Sequence, residues 1–112
     1  MSDLAQKELE PRKSDSLPLS DAEITKLKPE VPEWQVTIED NVPRLNRTFK
    51  FWNFATALEF TNEVGVLAEA QNHHPLITLT WGKATVEWWT HDIGGLHKND
   101  FIMAAKTDAL YA

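Results

Sequence analysis

The chain has 112 residues, 42% of them apolar, with five tryptophans, no cysteine and a formal charge of −6 at pH 7. That length suits one domain with a modest core, and the apolar content argues against disorder. The acidic balance argues against a nucleic-acid surface, and the lack of cysteine excludes disulfides and thiolate metal sites. No apolar run approaches the roughly 20 residues of a membrane span, and Met1 to Ser20 lacks the apolar segment of a signal peptide, so a cytoplasmic protein is expected.

Met1 to Leu17 mixes charges, serines and Pro11 without an apolar period and reads as a flexible tail, leaving 18–112 as a single domain. Ser20 and Glu23 form a capping-box pattern, which predicts a short helix from Asp21 that stops near Pro29. Trp34, Val36 and Ile38 alternate with polar residues as a half-buried strand does. Asp40 to Pro43 reads as a turn, and Leu45 to Phe51 as the second strand of a hairpin, its apolar face interrupted by Arg47.

Asn53 is a good N-cap for the main helix, predicted to run to about Ala70–Asn72 before Pro75. Its stripe is Phe54, Ala57, Leu58, Thr61, Gly65 and Ala68, broadened by Phe60, Val64 and Leu67. Ile77 to Trp81 and Ala84 to Thr90 make a second hairpin around Gly82-Lys83. A last helix follows from about Lys98 to Leu110, packing through Phe101, Ile102, Ala105 and Ala109. The fold class is therefore α+β, with helices on one face of a four-stranded antiparallel sheet. Its two open edges invite association of copies.

Chemistry concentrates between Glu69 and Asp100. Glu69 lies in the last turn of the main helix, where the macrodipole disfavours a negative charge. His73 and His74 follow at the helix end, closed by Pro75, and His91 stands at the end of the last strand. An unperturbed imidazole titrates at about pH 6.5, so each can give or take a proton near neutrality. Asp100 falls in the first turn of the last helix, where capping alone could account for it. A zinc site is disfavoured, because adjacent histidines diverge and neither has a partner histidine one turn away. No serine follows Ser20, which removes a Ser-His-Asp triad. Trp34, Trp52 and Trp88 read as packing residues, while Trp81 and Trp89 flank the histidine segment and could offer flat faces to an aromatic ligand.

Glu69, three residues, His73-His74-Pro75, five residues, Trp81, nine residues, His91, eight residues and Asp100 form a spaced pattern. It resembles that of the pterin-4a-carbinolamine dehydratases. The resemblance extends from Trp34 through Arg47-x-Phe49-x-Phe51 and Phe54 to the closing AAKTDAL helix. It implies dehydration of a 4a-hydroxytetrahydropterin to the quinonoid dihydropterin, with no metal or organic cofactor, by a homodimer or homotetramer. By the match, His73, His74 and His91 surround the reacting carbon, with His73 and His91 favoured as acids and His74 as base or binding group. Glu69 and Asp100 would orient the imidazoles, Pro75 would fix the backbone, and Trp81 would help wall the pocket. One departure is His97, where the family usually has Ser or Thr, a loss of cap expected to loosen Asp100. The alternative reading is a non-catalytic dimerisation or assembly partner on the same fold.

Overall fold

The computed structural model describes residues 4–11 and 17–111. Helix α1 (Asp21–Leu27) leads to β1 (Gln35–Glu39) and β2 (Val42–Lys50). Then come α2 (Phe54–Gln71), β3 (Leu76–Thr80), β4 (Lys83–Trp88) and α3 (Lys98–Leu110). The strands form one antiparallel sheet in the order β1-β2-β4-β3, as the α+β reading requires. Among the described residues no helix is long and apolar enough to cross a membrane.

The pleat puts Leu45 and Phe49 of β2 beside Trp88 and Ala84 of β4 on one face. That face, with Val86, forms the core together with Phe60, Val64 and Ala68 of α2 and Phe101 and Ile102 of α3. The other face carries polar side chains, such as Thr48 and Thr85, whose hydroxyls meet at 2.8 Å. Arg47 lies on the apolar face without breaking it. Its guanidinium reaches the Asp108 carboxylate at 2.7 Å and covers the Phe49 ring at 4.3 Å. Asp108 also accepts the Trp34 indole N–H at 2.8 Å. Burial raises the Asp108 carboxyl above its ordinary range, against the lowering effect of Trp34 and Arg47.

Three predicted details are corrected. The first turn is tighter than Asp40 to Pro43: Asp40 and Asn41, both with positive φ, make a two-residue turn, and Val42 and Pro43 join β2. Pro43 is tolerated there because pairing with β4 begins only at Leu45. Helix α2 buries Ala57, Phe60, Val64 and Ala68, while Phe54 and Leu58 are exposed. The Phe60 ring decides this rotation by packing against Phe49 and Phe51, at centroid distances of 4.6 and 5.1 Å.

Helix α3 is buried on more sides than one stripe predicts, from Asn99 through Ala105, whereas Ala109 is exposed. Its second cover is the N-terminal segment. Leu4 is buried, Lys106 Nζ donates to the Ala5 carbonyl at 2.9 Å, and the Asn99 amide exchanges hydrogen bonds with both backbone groups of Glu10. Of the predicted tail, then, Leu4–Glu10 is seated on α3. Residues 1–3 and 12–16 lie outside the described residues.

Candidate active site

Helix α2 ends in a left-handed Asn72, at φ 52°. The His73 N–H turns back to the Ala68 carbonyl at 3.1 Å, the reverse turn that commonly closes helices. This reversal sends His73 inward. Pro75 holds His74 out of helical geometry, and β3 starts at once with Leu76. The two adjacent imidazoles therefore part company: His73 is 5% exposed, while His74 faces solvent.

Each takes a carboxylate on the same ring nitrogen. His73 Nε2 lies 2.7 Å from Asp100 Oδ1, and His74 Nε2 lies 2.8 Å from Glu69 Oε1. A carboxylate oxygen accepts, so Nε2 carries the proton in both rings and Nδ1 is the nitrogen left for other work. The His73 ring also stacks on Trp88, with centroids 5.7 Å apart and planes 13° apart. Trp88 is itself anchored by an indole N–H donated to Thr107 at 3.1 Å.

Asp100 is wholly buried. Its Oδ2 accepts the Thr90 hydroxyl at 2.8 Å and the His97 N–H at 2.9 Å. The loss of cap predicted at His97 does not occur. The ring Nδ1 accepts the Asn99 N–H at 3.0 Å, as a serine or threonine oxygen would, and the capping box with Asp100 is complete.

His91 opens a 3-10 turn, His91–Ile93, that follows β4. Its ring leans on Trp89 with centroids 4.4 Å apart, and the guanidinium of Arg44 covers Trp89 at 3.9 Å. His73, His74 and His91 line one cavity of about 390 Å³, together with Asn72 and Asp92. A larger cleft of about 560 Å³ lies between α1 and the start of α3. Its walls hold His97 among Glu10, Glu23, Lys26 and Lys98, whereas the smaller cavity gathers three imidazoles, two of them bonded to carboxylates, and is the better candidate. Among the described residues no three His, Asp or Glu side chains are grouped so as to hold a metal ion.

Trp81 is corrected. It occupies the turn between β3 and β4, 69% exposed, with the whole of β3 between it and His74. It does not line the cavity. Trp52, read as a packing residue, is 90% exposed. Pro75 is half-buried and shapes the backbone without lining the cavity. Asn72, Asp92 and Thr90 are absent from the predicted set. The signal for Thr90 was available: two residues beyond Trp88 on the alternating face, its hydroxyl had to be buried and therefore bonded.

Residues 17–110 match the family described as Pterin 4 alpha carbinolamine dehydratase. The chain belongs to that family. A relative from Marinobacter nauticus is 55% identical over 99% of this chain and all of its own length. Another from Syntrophotalea carbinolica is 60% identical over 83% of this chain and 84% of its own. Both carry names that attribute to them a pterin-4-alpha-carbinolamine dehydratase activity. A crystal structure from Brucella melitensis, described as a transcriptional coactivator/pterin dehydratase, superposes with a TM-score of 0.76 at 28% identity, covering 85% of this chain and 99% of that one. A pterin dehydratase-like protein described as a RuBisCO assembly factor shares the fold, with a TM-score of 0.59 at 22% identity, over 70% of this chain and 88% of its own.

Proposed function

We propose that this chain is a dehydratase acting on a 4a-hydroxytetrahydropterin, forming the quinonoid dihydropterin. The observation that carries the reading is a single cavity bearing three imidazoles, two of them held by carboxylates. Eliminating water from a carbinolamine needs a proton delivered to the departing hydroxyl and a proton taken from the ring nitrogen. A neutral imidazole with Nε2 tied to a carboxylate presents Nδ1 as an acceptor; once protonated there, it presents a donor. His73 and His74 can therefore exchange protons with a ligand through Nδ1, and His91 is the third group at the cavity wall. In this reading His73 and His91 deliver the proton to the hydroxyl and His74 takes the other or binds the ring. Asp100 and Glu69 hold the rings in place.

Purified protein should speed the decay of a chemically generated 4a-hydroxytetrahydropterin, followed by absorbance between pH 6 and 9. No acceleration over buffer at any of these values would sink the proposal. A non-catalytic assembly partner on the same fold would have no need of three imidazoles around one cavity.

We further propose that the working form is a dimer or tetramer of this chain. Both β1 and β3 are sheet edges, and Leu76 on β3 and Val66 on α2 are exposed apolar residues. Sedimentation of a monomer at micromolar concentration would refute it.

A further inference from the structure

From the chain of contacts behind His73 we infer that Thr90 is a positioning residue, one that fixes the His73 tautomer and the place of that ring relative to His91. The inference rests on the dehydratase reading for its kinetic consequence only. Three donors converge on the Asp100 carboxylate, and they are divided unequally. Among the described residues, Thr90 Oγ1 and the His97 N–H both reach Oδ2, while Oδ1 meets His73 Nε2. A carboxylate cannot donate, so the Thr90 hydroxyl must. With two donors on one oxygen the carboxylate plane cannot turn, and the other oxygen stays aimed at His73. Remove the hydroxyl, and Oδ2 keeps one backbone donor three residues away in its own helix turn. The carboxylate can then rotate about its terminal torsion, which is intrinsically broad.

Placement adds to the case. Thr90 is fully buried and its N–H donates to the Gly95 carbonyl at 2.9 Å, so the residue is itself fixed. The next residue is His91. Strand alternation sends Thr90 inward to Asp100 and His91 outward to the cavity. One strand end thus supports the buried imidazole through Asp100 and supplies the exposed one directly. Thr90 is not among the residues lining the cavity; it acts through Asp100.

Nitrogen-15 NMR of the histidine side chains reads the tautomer directly. In the wild-type protein His73 should be the Nε2–H form when neutral; finding Nδ1–H would overturn the inference outright. Thr90→Val, close in shape but without the hydroxyl, should give a mixture of both forms. It should also lower kcat by about 10- to 100-fold with little change in KM, as expected when a reacting group is misplaced. Thr90→Ser, which restores the hydroxyl and lacks only the methyl, should recover both tautomer and kcat. If Thr90→Ser behaves as Thr90→Val, or if Thr90→Val keeps the wild-type tautomer, packing explains the residue and the proposal fails. The readouts separate the two claims: an inactive wild type with a tautomer that depends on Thr90 refutes the dehydratase reading and leaves this one standing.

Discussion

At the scale of single residues, the candidate site gives adjacent histidines unlike surroundings. Burial against Trp88 and a bond to Asp100 immobilise His73, whereas the exposed pair of His74 with Glu69 orients a ring that solvent still reaches. His73→Ala and His91→Ala are each expected to lower kcat by about 10²- to 10⁴-fold, the usual worth of a placed acid or base. Circular dichroism should show both variants folded, and the wild-type rate in either would remove that histidine from the mechanism. Away from the cavity, Asp108 makes a prediction about pH. Its folded-state value is raised, chiefly by burial, so the folded chain holds its proton more tightly than the unfolded chain. The stability it contributes is complete below the unfolded value of about 4 and is lost as pH rises through the higher folded value. Relative to Asp108→Asn, the wild-type protein should therefore gain stability as pH falls from 7 to 4. Urea midpoints across that range check it, and a difference independent of pH would contradict it.

At the scale of elements, the site depends on how three of them stop or start: α2 ends in a left-handed Asn72, β4 stops at Trp88 two residues before Thr90, and α3 is capped by His97. The loop after β4 is pinned by the backbone pairing of Thr90 with Gly95. A Cβ on Gly95 would lie 2.8 Å from Pro18 Cβ, too close for either backbone to stay put. Gly95→Ala should cost about 1–3 kcal/mol of stability by overpacking and disturb Thr90 next to the site. Thermal unfolding no different from wild type would show that the loop yields freely. These junctions also mark what the sequence could and could not disclose. Helix and strand order, the histidines and both acids were readable, because period, caps and spacing are local properties. The rotation of α2 was not, since Phe60 takes its buried place from packing against the rings of Phe49 and Phe51, which a helical period does not record. Where Trp81 stands was hidden for a related reason: a spacing pattern records its position in the chain, whereas the length of β3 carries it to the far end of the hairpin. His97 looked like a damaged cap, although imidazole Nδ1 has the lone pair that the position needs.

At the scale of the whole molecule, the sheet and α2 leave α3 half covered, and the segment from Leu4 to Glu10 completes the enclosure. Polar-rich sequence without a period hid this, because one buried Leu4 and backbone bonds to Asn99 and Lys106 carry the docking. Leu4→Ala should destabilise the protein by about 2 kcal/mol, the low end for a buried leucine, since a chain end relaxes more easily than a core. An unchanged denaturation midpoint would mean that the segment is not docked in solution. Enclosing α3 has a further effect on the carboxylate at its start. The His97 amide proton is bonded to an oxygen that solvent cannot reach, and the same carboxylate ties α3 to the end of β4 and to the end of α2. That proton is expected to exchange with deuterium when these three elements separate. Its exchange should therefore report global opening, and warming should abolish catalysis and tertiary structure in one transition.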